Sequence, residues 1–278
     1  MTYKYAQPAQ PGYMSAFPCC SVALPYMIDV IEKARMAAIE ESRIAGQGVV
    51  ETEVRFGSCV DGNRFQTGIS ETALSDIEKQ LDTAVDWWAS VQDWVNVWVY
   101  HHPDPENPHQ TLRTEAMFTD TDGSSSLPER TTIVKKTLFK KNMATETQID
   151  GGKITDIRVA VSREVPRRLE GTVRVLPTLV YLKKRKTYYL CSRGEEKPNF
   201  MYTLTKRWSG DNRSDCEHNY KTIPPVCEVE IEICNQAYLQ RAPVEYVAAS
   251  LLFKSTDILQ MIHSTLVPTS YSIIPREI

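Results

Sequence analysis

The chain of 278 residues has no excess of positive charge: 32 Lys and Arg stand against 35 Asp and Glu, a net charge of −3. No global basic field therefore advertises nucleic-acid binding, and any such contact has to be local. There is no apolar run of about 18 residues, which excludes a spanning helix, and the N-terminus has neither the charged nor the apolar region of a signal peptide. The chain thus reads as intracellular, with no membrane contact. Its seven cysteines (Cys19, Cys20, Cys59, Cys191, Cys216, Cys227 and Cys234) form no Cys-x-x-Cys pair, and an odd, scattered set in that setting favours free thiols over disulfides or zinc. The five histidines offer no metal-ligand spacing. His101 and His102 precede a Pro-rich turn and read as exposed loop residues. No internal repeat or low-complexity stretch appears.

What is present is the composition of a soluble globular protein, 42% hydrophobic and 24% charged, with ample length for a core. Residues 1–25, rich in Pro, Tyr and Gln, read as a poorly ordered segment, and residues 26–278 as a single domain. The spacing of Ile28, Ile31, Ala34 and Ala38 predicts a helix over 27–44, ended by Gly46 and Gly48. A second helix is expected over 70–90, capped by Ser70, with Leu74, Ile77, Leu81, Val85 and Trp88 as one apolar stripe. Trp87, Trp88, Trp94 and Trp98 read as core rather than as base-stacking residues.

Strands follow near 50–56, 93–100, 111–119, 131–140, 154–164, 179–190, 200–206 and 227–233. They are separated by turn signals such as Asp122-Gly123, Asp150-Gly151-Gly152 and Gly210-Asp211-Asn212. These runs with polar alternate positions predict a mainly β (α+β) fold, a closed eight-stranded antiparallel barrel in which every edge is paired. The last 40 residues read as helices covering an outer face.

Two of the strands align glutamates at every second position. Glu51, Glu53 and Arg55 share one face of the first, and Glu228, Glu230 and Glu232 share one face of the last, with Val54, Phe56, Val229, Ile231 and Ile233 opposite. Either run alone also fits a solvent-facing antiparallel strand. Were the two stripes to face each other, their repulsion would require a cation, which describes a hard-metal site. The middle strands carry the opposite charge: Arg113, Lys135, Lys136 and the run Lys183-Lys184-Arg185-Lys186. Strand alternation turns about half of these away from the others. In the run 154–164, Asp156, Arg158, Ser162 and Glu164 lie opposite Ile157, Val159 and Val161. A barrel with its polar face inward would enclose acids and bases together, an interior suited to a metal-bound polyanion.

Glu51-Thr-Glu53-Val-Arg55-Phe56-Gly57, Leu112-Arg113-Thr114, Ile133-Val-Lys135-Lys136, Asp156 to Pro166, Lys183-Lys-Arg185-Lys-Thr187-Tyr188 and Glu228 to Ile233 resemble, in order, the motifs of the fungal and protozoal metal-dependent mRNA-capping RNA triphosphatases. These belong to the triphosphate tunnel metalloenzymes. The chain's modest length is closer to the protozoal members. The resemblance implies hydrolysis of the γ-phosphate of 5′-triphosphate RNA to a diphosphate end, the first step of cap formation. It implies Mg²⁺ or Mn²⁺ held by Glu51, Glu53, Glu230 and Glu232, with Glu228 in support. It further implies phosphate contacts from Arg113, Lys135, Lys183 and Arg185, and Glu164 as the group that orients or deprotonates the attacking water. A nuclear location and an RNA guanylyltransferase partner follow by analogy. Met201 and Thr203 depart from the family's Arg and Asp, and Arg193 or Arg207 could substitute. A one-residue slip would put Lys184 and Lys186 inside in place of Lys183 and Arg185. Hydrolysis of inorganic or nucleoside triphosphate, and a polyanion-binding barrel without turnover, are the alternatives.

Overall fold

The computed structural model describes residues 18–43, 48–60, 64–84, 88–104, 107, 110–118, 130–146, 155–167, 176–191, 196–262 and 272–275. Residues 1–17, Gly46, Val85, Trp87, Arg193 and the turns at 122–123 and 150–152 lie outside the described residues. In chain order the elements are α1 (Pro18–Arg43), β1 (Val49–Val60), β2 (Arg64–Thr67), α2 (Glu71–Thr83), β3 (Ser90–Pro103), β4 (Thr111–Phe118), β5 (Arg130–Glu146) and β6 (Asp156–Pro166). They continue with β7 (Leu179–Leu190), β8 (Phe200–Gly210), α3 (Arg213–Thr222), β9 (Val226–Ile233), α4 (Gln236–Arg241), α5 (Val244–Ile262) and β10 (Ser272–Pro275).

Eight of these strands close into an antiparallel barrel in the order β1-β9-β8-β7-β3-β4-β5-β6, with β6 pairing back onto β1. Helices pack outside it, and β2 and β10 add short strands to β1 and β5. Gly57 makes the β1–β2 approach possible, since a Cβ there would meet the Gln66 carbonyl oxygen at 2.1 Å.

The hydrophobic core lies outside the barrel. Val50, Val54 and Phe56 of β1, Ile157 and Val159 of β6, Leu204 of β8, and Val229 and Ile231 of β9 are all fully buried. They face α1, α2, α4 and α5, whose Met27, Ile31, Leu74, Ile77, Leu239, Leu251, Leu252 and Ile258 join them in one cluster. Each such side chain contributes about 1.5–3 kcal/mol on burial. The fold is therefore anchored on one wall of the barrel from without, leaving the inner face free to be polar. A second cluster of Trp98, Ala116, Val180, Leu182, Trp208 and Cys216 lies under α3.

The described tryptophans serve packing. Trp98 is buried, Trp88 donates its Nε1–H to the Leu81 carbonyl at 2.8 Å, and Trp94 donates to Glu78 at 2.8 Å. Ser70 caps α2 by accepting from the Ala73 amide.

Several boundaries differ from the sequence reading. The first helix starts at Pro18, because Ala23 and Met27 continue its buried stripe despite Pro25. α2 stops at Thr83, and Trp88 reaches its stripe from the following segment. α3 was not anticipated; Asn212 turns the chain and caps it by accepting from the Asp215 amide at 3.0 Å. His101 and His102 are strand residues rather than loop residues, because β3 stays paired with β4 to Pro103. Among the described residues no helix is long and apolar enough to cross a membrane.

Candidate functional site

Pairing across the barrel decides which side chains point inward, since residues opposite each other on neighbouring strands share a face. Glu53 pairs with Glu232 and Arg55 with Glu230 between β1 and β9. Glu51 pairs with Ser162 and Arg55 with Arg158 between β1 and β6, and Lys135 pairs with Glu164 between β5 and β6. Thr205 opposes Glu228 and Arg185, and Arg207 opposes Lys183. The tunnel is thus lined by Glu51, Glu53, Glu115, Glu164, Glu228, Glu230 and Glu232, together with Arg55, Arg113, Lys135, Arg158, Lys183, Arg185 and Arg207. Every sequence-predicted site residue stands on this inner face.

The register of β7 falls on Lys183 and Arg185. Lys184 points outward to the Tyr220 ring, 5.4 Å from its centroid, and Lys186 points outward to Glu78 at 3.1 Å and Asp82 at 2.9 Å on α2. Met201 and Thr203 also face inward, opposite Glu232 and Glu230.

Most of the enclosed charges are matched. Lys135 bonds Glu51 and lies 3.6 Å from Glu53 and 3.5 Å from Glu164. Arg55 bridges Glu53 at 2.8 Å and Glu230 at 3.0 Å. Arg113 contacts Glu164 at 3.0 Å and Glu115 at 3.4 Å, Arg185 contacts Glu115 at 3.2 Å, and Arg207 contacts Glu228 at 3.0 Å. Low dielectric inside the tunnel makes such pairs stronger and any unmatched charge costlier.

Three of these lining charges, Arg158, Lys183 and Glu232, have no ion-pair partner within 4.0 Å among the described residues. The Lys183 ammonium is pushed down to about 8 by burial and by the neighbouring Arg185, against the pull of Glu230 and Glu228. The Glu232 carboxyl is pushed well above the usual carboxylate range by burial and by Glu51, Glu230 and Glu53. Glu53 is raised for the same first reason, burial, offset by Arg55. Burial also acts to raise Glu230, yet Arg55, Lys183 and Arg185 together hold it at about 2. Among the described residues no three acidic, His or Cys side chains converge as a preformed metal cage. Lys135 and Arg55 stand between the carboxylates instead.

Chemically, this is a channel that offers multiple oxygen donors and multiple phosphate-matching cations together. The sequence reading did not select Glu115, Arg55 or Arg158 as site residues. Strand alternation from Arg113, Glu53 and the 154–164 run reaches all three. The same alternation from Lys183 reaches Tyr181, inward-facing beside Arg207.

No protein-family model and no curated protein matches the chain. Solved structures do. It is similar to the S. pombe Pct1 RNA triphosphatase, at 14% identity and TM-score 0.57 over 84% of this chain and 93% of that one. It is also similar to Pct1 in complex with the Spt5 CTD, at 16% identity and TM-score 0.58 over 84% and 94%. A third similarity is to the RNA triphosphatase domain of a trifunctional mimivirus mRNA capping enzyme, at 13% identity and TM-score 0.45 over 82% and 97%. With its polar lumen and external helices, the chain has the triphosphate tunnel fold found in the S. pombe RNA triphosphatase structures.

Proposed function

We propose that the chain is a metal-dependent RNA 5′-triphosphatase that removes the γ-phosphate of triphosphate-ended RNA, the first step of mRNA cap formation. The observation that carries this reading is the enclosed lumen lined by carboxylates and cations together, in which Glu232, Lys183 and Arg158 have no ion-pair partner among the described residues. Burial of such groups is costly unless a ligand offsets it. Lys183 without a counter-ion is matched by a phosphate oxygen, and Glu232 among carboxylates is matched by a cation.

The donor set is compatible with a hard divalent ion, since Glu51, Glu53, Glu230 and Glu232 supply only oxygen. Mg²⁺ or Mn²⁺ held there would neutralise the γ-phosphate and stabilise charge developing on it. Lys135 and Arg55 would then release these carboxylates and turn to phosphate oxygens. Arg113, Lys135, Lys183 and Arg185 grip the β- and γ-phosphates, acting as a preorganised electrostatic cage. Glu164, between Arg113 and Lys135, accepts a proton from water attacking the γ-phosphorus. The bond from that phosphorus to the β–γ bridging oxygen breaks, leaving a diphosphate end and inorganic phosphate.

Met201 and Thr203, beside Glu232 and Glu230, favour a second reading, a polyanion-binding barrel without turnover. Hydrolysis of inorganic or nucleoside triphosphate would use the same ions. A nuclear location and an RNA guanylyltransferase that takes up the diphosphate end are part of the first reading. The test uses RNA labelled at the γ- or the β-phosphate. Release of the γ-label as phosphate with retention of the β-label is expected; binding without release would establish the second reading.

A further inference from the structure

The tunnel is not the same at its two ends. Followed along β7 the inward residues run Thr187, Arg185, Lys183, Tyr181 and Leu179, and along β9 they run Glu232, Glu230 and Glu228 in the same direction. Along β9 carboxylates therefore crowd one end, and along β7 Arg185 and Lys183 give way to Tyr181 at the other, where Glu115 and Arg113 of β4 stand level with Tyr181 and Leu179 through Val99 and His101 of β3. At that other end the Arg207 guanidinium lies over the Tyr181 ring, 4.9 Å from its centroid, and is held from below by Glu228. The His101 ring meets Tyr181 edge-on with centroids 5.3 Å apart. Arg158 lies over the Phe65 ring at 5.0 Å from the far ends of β6 and β2. An open groove of about 690 Å³ lies at the adjoining rim, lined by Leu179 and Ser209 at the strand ends and by Asp211, Ser214, Asp215, His218 and Asn219 of the segment that leads into and forms α3, outside the barrel.

Among the described residues no such pair stands at the opposite mouth. Its inward aromatic is Tyr189, next to Met201 in register and in the field of Glu232, where a phosphate chain would meet acids first.

We infer that the Tyr181 mouth is the nucleoside subsite and sets the substrate's direction: the first base and ribose rest against Tyr181 and Arg207, and the γ-phosphate points to Glu51, Glu53 and Glu232. This rests on the triphosphatase reading and goes beyond it by fixing orientation. Nucleic-acid bases stack on aromatic rings and on guanidinium planes without regard to sequence. From Met201, opposite Glu232, to Arg207 is six residues of strand, about 20 Å, shortened to about 15 Å along the axis by barrel tilt. That interval suits an extended triphosphate and its ribose.

The experiment compares kcat/KM for inorganic triphosphate, a nucleoside triphosphate and triphosphate-ended RNA, using the full chain and its Tyr181→Ala, Tyr181→Leu, Tyr181→Phe and Tyr189→Ala variants. Loss of the ring in Tyr181→Ala and Tyr181→Leu lowers the preference for nucleoside-bearing substrates over inorganic triphosphate about tenfold, chiefly through KM. Tyr181→Phe keeps the preference, and Tyr189→Ala leaves it where it was. A preference that survives loss of the Tyr181 ring, or that falls with Tyr189→Ala instead, overturns the orientation while the triphosphatase reading stands. Failure of the unaltered chain to cleave any of the three overturns both.

Discussion

Replacing Lys183 with methionine tests the claim that the tunnel holds a cation with no counter-ion. The ammonium, ordinarily at 10.5, sits at about 8 inside the barrel, a difference worth about 3 kcal/mol. Water in the tunnel screens part of this, leaving about 2 kcal/mol. Below about pH 8 the ammonium is charged in the folded and unfolded chains alike, so the whole cost weighs on the fold. Between about 8 and 10.5 the folded chain has lost its proton and the unfolded chain has not, so stability recovers as pH rises through that window. Lys183→Met should therefore stabilise the protein at pH 7 by about 2 kcal/mol, raising the thermal midpoint by about 4–8 °C. The gain should shrink above pH 8 and vanish near pH 10.5. The same variant should lower kcat/KM on triphosphate-ended RNA about 10²–10³-fold, a site that trades stability for function. Denaturant titrations in phosphate-free buffer at pH 7 and pH 9.5 read the first effect. Destabilisation at pH 7, or a gain that does not change with pH, would refute the reasoning.

Three further outcomes follow. Lys186→Ala, on the outer face of the same strand, removes the ammonium that Glu78 and Asp82 share, leaving them the Trp94 and Tyr188 donors alone, and lowers stability by about 1–2 kcal/mol, while kcat/KM stays within about twofold; a large loss of activity would mean the β7 register is wrong. Gly57→Ala drives a methyl into the Gln66 carbonyl and costs about 1–3 kcal/mol in urea unfolding, whereas a neutral result would show that β2 does not pack there. RNA affinity measured against salt should give a shallow log–log slope, because a net charge of −3 leaves little backbone attraction beyond the triphosphate; a steep slope would require an extended RNA track.

Much of the barrel was legible because its strands have a two-residue rhythm that survives burial on one face only. Glu228 to Ile233 reads as acid-in, apolar-out, and the structure has Val229 and Ile231 buried against helices with Glu230 and Glu232 in the lumen. Lys183 to Lys186 was ambiguous from sequence because both faces are cationic. The choice is made by α2, whose Glu78 and Asp82 claim Lys186. α3 was hidden because its Arg-Ser-Asp-Cys-Glu-His-Asn-Tyr run has one buried residue, Cys216, and so no apolar stripe. β2, four residues long and with exposed Arg64 and Gln66, carries too little alternation to register. The Tyr181 mouth was invisible because it joins the ends of β3, β7 and β8, which are distant in sequence.

The most direct test of the account is phosphate release from γ-labelled triphosphate-ended RNA, with Mg²⁺, with Mn²⁺ and with chelator, for the unaltered chain and for Glu51→Ala and Glu232→Ala. The account predicts metal-dependent release that chelator abolishes and that both variants lose while remaining folded. Release that persists in chelator or in either variant would contradict the carboxylates as the seat of the reaction.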